Sequence, residues 1–109
     1  MAEKRERLCS LLDRYGEALP ERCREVLECR YAEDLSLGEI AENCGITRQG
    51  VRDAILRGEA ELEALEKALG LDRKLGEVSA LVSRIAERTD DEEIKSLAAE
   101  IVSVLVGEE

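Results

Sequence analysis

An all-α fold is predicted for this 109-residue chain by three observations. Apolar residues recur at three- and four-residue spacing along nearly its whole length, whereas a half-buried strand needs a period of two. Proline occurs once and aromatic residues make up 2% of the chain, so helix breakers and strong strand formers are both scarce. With 44% hydrophobic and 39% charged residues, the chain has enough apolar surface for one modest core and a well-solvated exterior.

The elements follow in order. Leu8, Leu11, Leu12 and Tyr15 form one stripe of a helix over 3–15, which Gly16 can close. Pro20 suits the first turn of a second helix, where its missing N–H costs nothing, and Cys23, Val26, Leu27, Arg30 and Tyr31 trace that helix's inner side. A loop from Ala32 to Leu35 leads into the segment LGEIAENCGITRQGVRDAIL, residues 37–56. There Ile40, Ala41 and Cys44 form one apolar face and Val51, Ala54 and Ile55 another, on either side of Gly45, which can take the left-handed turn between two helices while Ile46 plugs the corner. Ser36 with Glu39 reads as a capping box for the first of these helices, and Thr47 as the N-cap of the second. This is the pattern of a helix-turn-helix.

The second helix is expected to continue to Leu69 through Val51, Ile55, Leu62 and Leu65, weakened by Gly50 and Gly58 at roughly 1 kcal/mol each, with a bend near Gly58. Glu63 and Lys67 are spaced for an i,i+4 ion pair on its exposed side. Gly70 to Asp72 reads as a joint. Beyond it, Leu75, Val78, Leu81, Val82 and Ile85 form one stripe, and Ile94, Leu97, Ala98, Ile101, Val102 and Leu105 another, begun by a capping box from Thr89 to Glu92. These two stripes predict an antiparallel hairpin. The chain thus divides into a helix-turn-helix unit at 1–71 and an acidic helical hairpin at 72–109. The hairpin's apolar faces are wide for so thin a layer, so they pack either on the first unit or on a second copy as a homodimer.

Function is concentrated in the helix-turn-helix. Outside its packing positions, the second helix offers Arg48, Gln49, Arg52, Asp53 and Arg57 behind the capping Thr47. Such groups reach phosphates and base edges when a helix of this kind enters a major groove, an arginine reading guanine and a glutamine reading adenine. Net charge opposes a dedicated DNA binder. The total is −10, although residues 1–58 hold 10 basic and 12 acidic side chains while residues 59–109 hold 6 and 14, so the deficit lies mostly in the second half. Duplex DNA binding is therefore expected to be weak and salt-sensitive, with a protein or ribonucleoprotein partner at least as favourable. Only Tyr15 and Tyr31 are aromatic, so stacking of single-stranded bases is poorly supported and backbone contacts by arginine would dominate on RNA.

Other classes are excluded. The chain has no histidine, which rules out Cys-His and Ser-His-Asp catalysis, and it has no P-loop; no enzyme activity, cofactor or metal is expected. Cys9, Cys23, Cys29 and Cys44 lack CxxC spacing, and Cys9, Cys23 and Cys44 fall on apolar helical positions, so the thiols read as reduced core residues. No apolar run approaches the ~20 residues of a membrane span, and MAEKRERL leads into an amphipathic helix, so membrane insertion is not expected and the location is read as cytoplasmic.

The stretch from Asp13 to Ile55, DRYGEALPERCREVLECRYAEDLSLGEIAENCGITRQGVRDAI, resembles the YlxM (p13) family of small bacterial helix-turn-helix proteins, which are themselves similar to region four of sigma-70-type sigma factors. Tyr15-Gly16, the run from Tyr31 to Glu42, and Thr47-Arg48-Gln49 before Val51 and Asp53 carry the resemblance most strongly. It implies an all-α fold with a sigma-region-four-like helix-turn-helix, a long helix and a C-terminal helical hairpin. It further implies a regulatory or accessory role in the signal recognition particle pathway, with the particle's GTPase or its RNA as partner. DNA binding is suggested by the motif alone.

Overall fold

The computed structural model describes residues 2–107. It contains helices α1 (Ala2–Tyr15), α2 (Glu21–Leu27), α3 (Leu37–Cys44), α4 (Arg48–Leu69), α5 (Leu71–Arg88) and α6 (Glu92–Val106), and no strand occurs among the described residues. None of these helices is long and apolar enough to cross a membrane. The chain forms two compact units that meet between Gly70 and Leu71.

In the first unit, α2 and α4 each serve two neighbouring clusters. Leu27 and Leu62 pack with Leu11, Leu12 and Tyr15 of α1 and with Leu19. Val26, one residue before Leu27, packs on Ile40 of α3 and on Val51 and Ala54 of α4. Successive residues of a helix point about 100° apart, so a seven-residue α2 can wedge between two partners and hold α1 and the helix-turn-helix against the same long helix.

α4 runs as one helix from Arg48 to Leu69, as expected, and Gly58 does not interrupt it. The glycine serves packing instead. It is buried, and a Cβ built there would lie 2.6 Å from Leu27 Cδ1 and 3.1 Å from Leu27 Cγ, so its missing side chain is what lets α2 approach α4.

The connection from α2 to α3 departs from a simple loop. Glu28–Ala32 forms one wide π turn in which Glu33 N–H donates to the Glu28 carbonyl at 3.1 Å, followed by Leu35 N–H donating to the Cys29 carbonyl at 3.0 Å. Asp34 adopts φ 58°, the left-handed region that aspartate tolerates better than most residues. Arg5 of α1 anchors this turn, donating to Asp34 Oδ1 at 2.8 Å and to the Tyr31 carbonyl at 3.1 Å. The same contact holds the Asp34 carboxyl below the usual carboxylate range.

Acidic residues on α4 act as acceptors for neighbouring elements. Arg7 of α1 clamps Glu63 through two hydrogen bonds of 2.9 and 2.6 Å, Tyr15 Oη donates to Glu66 at 2.6 Å, and Tyr31 Oη donates to Glu59. Glu63 therefore engages α1, not Lys67 as its i,i+4 spacing predicts. A cross-helix arginine fork supplies two charge-assisted bonds where a lysine on the same helix supplies one point charge. Part of the acidic excess after residue 58 is thus structural.

The Arg7 bond holds the Glu63 carboxyl below its ordinary pKa. A carboxylate depressed in the folded state adds stability above its unfolded pKa and loses it as pH falls through its folded pKa. Arg7→Ala should cost about 1 kcal/mol at neutral pH, a modest value because both groups are half exposed. That difference from wild type should shrink as denaturation is repeated at pH values falling below the carboxylate range; a difference independent of pH would show that Arg7 acts by packing alone.

In the second unit α5 and α6 pack on each other, joined by residues 89–91, and a connection this short makes them antiparallel. Val82 and Ala98 are the buried residues of the pair. The start of α6 corrects the expected Thr89 to Glu92 box: the N-cap is Asp91, whose Oδ1 accepts from Glu93 N–H at 2.8 Å and Ile94 N–H at 3.3 Å. Thr89 Oγ1 accepts from Asp91 N–H at 3.1 Å and so positions the cap. Carboxylate and hydroxyl compete for the cap here, and the charge of Asp91 is favoured at a helix N-terminus.

Candidate nucleic-acid interface

The helix-turn-helix is built by local chemistry at each end. Ser36 Oγ accepts from Glu39 N–H at 3.1 Å while Glu39 Oε1 accepts from Ser36 N–H at 3.0 Å, which completes the expected capping box and holds the Glu39 carboxyl below its usual range. α3 ends at Gly45 with φ 66°, and Ile46 N–H closes the turn on the Ala41 carbonyl at 3.1 Å. Ile46 then packs on the Val26, Ile40, Val51 and Ala54 cluster. Thr47 caps α4, its Oγ1 accepting from Gly50 N–H at 2.9 Å. Because a side chain at Gly45 meets open space but a left-handed backbone, Gly45→Ala should destabilise by about 1–2 kcal/mol purely through backbone strain. Thermal or urea denaturation checks this, and a neutral Gly45→Ala would mean the turn relaxes to another conformation.

The expected contact residues are distributed over the exposed side of α4. Arg48 lies over the first turn of α3: a Cβ at Gly38 would sit 2.9 Å from its Nη2, so the guanidinium rests where Gly38 has no side chain. Gln49 donates from Nε2 to Asp53 Oδ1 at 3.0 Å, one turn along the helix. Arg52 is exposed on the same opening turns. Arg57 is also exposed but stands on the other border of α4, where it lines a surface depression with Pro20, Cys23 and Glu61. Thr47, Arg48, Gln49, Arg52 and Asp53 are therefore gathered at the start of α4, and Arg57, one turn beyond Asp53, faces the α2 side.

Two further residues belong to this face and were not among the expected ones. Arg22 of α2 donates from Nη1 to the Cys44 carbonyl at 2.8 Å, placing a cation at the C-terminal end of α3, where it complements the helix dipole. Gly38 supplies the gap that Arg48 occupies. Their spacing in sequence carries no signal, since each acts across elements. Between α3 and the start of α4 lies an open groove of about 660 Å³ lined by Ser36, Gly38, Glu42, Ile46 and Arg48. Its charge is mixed, with Glu39 and Glu42 on α3 opposing Arg48.

The cysteines contribute packing. All four are free, Cys23 is buried, and Cys29 and Cys44 border the cluster beneath the helix-turn-helix. Burial, reinforced by Glu33, pushes the Cys29 thiol up to about 11, so it stays protonated and unreactive at neutral pH. Among the described residues no group of three or more His, Cys, Asp or Glu side chains could hold a metal ion.

An exposed arginine fork at Arg48 and another at Arg52 can each pair with a phosphate or a guanine edge. Gln49 reaches a base edge only by exchanging its bond to Asp53. The face is therefore equipped for charge-assisted contact with a nucleic acid or an acidic protein surface.

The family model described as "Putative helix-turn-helix protein, YlxM / p13 like" matches residues 2–101. A UPF0122 protein of Thermoanaerobacter sp. (strain X514) is 41% identical over 98 residues, covering 84% of each chain. One from Acetivibrio thermocellus is 40% identical over 95 residues, 87% of this chain and 81% of that one. Another, from Bacillus cereus (strain AH187), is 41% identical over 93 residues, 85% and 84% respectively. Matches of this extent, reaching from α1 into α6 and spanning the capped helix-turn-helix, identify the chain as a member of the UPF0122 family of YlxM/p13-like helix-turn-helix proteins.

Proposed function

We propose that this chain is a non-catalytic regulatory protein of the signal recognition particle pathway, and that it meets its target through the opening turns of α4. The pathway follows from the resemblance to YlxM (p13) proteins. The contact face is supported by one observation above the others: Arg48 and Arg52 stand exposed on a helix whose start is fixed by the Thr47 cap, beside a groove open to solvent. A helix end whose backbone is already fixed pays little further backbone ordering when it binds, and arginine forks suit the phosphates of a structured polyanion such as the particle's RNA or the RNA-bound GTPase.

A second reading, a sigma-like regulator bound to duplex DNA, is favoured by the exposed Gln49 on the first turn of α4, the position from which a recognition helix reads bases once its amide exchanges Asp53 for a base edge. A net charge of −10 weighs against it, as it does against bare RNA, since each phosphate contact must work against the field of the whole chain, and this leaves the protein-containing particle as the better target.

Titration of the full chain at two salt concentrations separates the readings, using the particle RNA, its GTPase with and without that RNA, and random duplex DNA. Saturable binding to the particle with negligible duplex affinity is the expected result. Sequence-selective duplex binding would establish the second reading, and no saturable binding to any of these would overturn both.

A further inference from the structure

Packed on each other, α5 and α6 leave a broad apolar face that neither helix covers. Leu81 and Ile85 of α5 retain 55% and 54% of their surface, Leu97 and Val104 of α6 retain 52% and 78%, and Val78, Ile94 and Ile101 are also exposed. Their spacing is regular. Val78, Leu81 and Ile85 follow one another at three and four residues, as do Ile94, Leu97, Ile101 and Val104, which is the a/d rhythm of helices that pack knobs into holes. The two stripes share one side of the hairpin, since Leu81, Ile85 and Ile94 line a single groove of about 560 Å³. A second groove, of about 430 Å³, continues along α6 between Leu97, Ile101 and Val104.

Area and charge both identify the occupant. Seven half-exposed Val, Leu and Ile side chains present on the order of 600 Å² of apolar surface, at the upper limit of the largest patch a typical monomer leaves open. A stable dimer buries about 800 Å² per partner, roughly two thirds of it apolar, so the exposed face matches one half of such an interface. The rims differ in sign. Beyond the α5 stripe stand Arg84 and Arg88, with Lys74 at its N-terminal end and Arg73 paired to Glu77 at 3.4 Å; beyond the α6 stripe stand Glu93 and Glu100. One hairpin therefore carries a basic edge and an acidic edge on either side of the same apolar face.

We propose that two copies of this chain associate through this face, α5 of one copy lying over α6 of the other about a dyad parallel to the helices. The pairing closes an antiparallel four-helix bundle. It buries both stripes and sets Arg84 and Arg88 of each copy against Glu93 and Glu100 of the other. The alternative dyad, perpendicular to the helices, would stack α5 on α5 and oppose like charges.

Sedimentation equilibrium of the full chain, from low to high micromolar concentration, should give a species of twice 12.1 kDa. Ile101→Glu combined with Val104→Glu should weaken the dimer by roughly ten-fold or more while helix content by circular dichroism is kept. A second set of variants tests the arrangement at exposed rim positions, with helix content again checked by circular dichroism. Arg84→Glu/Arg88→Glu and Glu93→Arg/Glu100→Arg should each dimerise poorly alone, yet form a heterodimer when mixed. A monomer at every concentration would overturn the proposal, as would a dimer indifferent to the Ile101 and Val104 changes, or a mixture no tighter than its components.

Discussion

Leu27→Ala is expected to destabilise the first unit by about 2–5 kcal/mol, the range for removing a large buried aliphatic side chain. Leu27 is 0% exposed and belongs to the cluster that joins α1, α2 and α4, so the cavity would open where three helices meet. The more discriminating result concerns its partner. Gly58→Ala in an exposed helix would stabilise by about 1 kcal/mol through propensity. Here the added Cβ falls 2.6 Å from Leu27 Cδ1, and the crowding should outweigh that gain and leave a net loss of about 1–2 kcal/mol. In the Leu27→Ala background the obstructing atoms are gone, and Gly58→Ala should become neutral or stabilising. A double-mutant cycle measured by urea denaturation reads the coupling directly. Additive effects would mean that Gly58 is not held to glycine by Leu27. Gly76→Ala in α5 is the natural control, because nothing lies within 4 Å of its added Cβ, and it should stabilise.

The second large effect is expected in binding. Arg48→Ala and Arg52→Ala should each weaken binding to the nucleic-acid-containing target by roughly ten-fold, and each lost phosphate contact should reduce the slope of log K against log salt by about 1. Arg57→Ala should have a smaller effect, since Arg57 stands beside Pro20 and Cys23, on the opposite border of α4 from Arg48 and Arg52. Equal losses at all three positions would point to non-specific attraction in place of docking by the start of α4. Arg48→Ala on duplex DNA serves the alternative: there it should abolish sequence preference if α4 reads bases.

The features legible in the sequence are those fixed by neighbours three or four residues away. The Ser36 and Glu39 box, the Thr47 cap, the left-handed Gly45 and the apolar spacing of α1 to α6 all answer to local hydrogen bonds or helical periodicity, and each stands in the structure. What local spacing misses is settled by partners distant in sequence. Gly58 reads as a weak point in a helix until Leu27, 31 residues away, is seen to fill its place. Glu63 reads as the partner of Lys67 until Arg7 reaches it from α1. The π turn at Glu28–Ala32 and the left-handed Asp34 leave no composition signal, because Arg5 of α1 holds them from outside, through the Tyr31 carbonyl and the Asp34 carboxylate. The same division applies to the candidate interface. Its exposed arginines were legible, since they occupy the non-packing positions of α4. Gly38 and Arg22 were not, since one acts by what it lacks beneath Arg48 and the other by reaching the end of a helix 22 residues further along the chain.

The most direct test of the proposed contact face is a backbone amide shift map of the full chain, titrated with the signal recognition particle RNA and, in parallel, with duplex DNA. Saturable shifts confined to the segment from Ser36 to Asp53, largest at Thr47 to Arg52 and lost in the Arg48→Ala/Arg52→Ala variant, are the expected result. Shifts that avoid this segment, or that persist unchanged in the variant, would contradict that contact face.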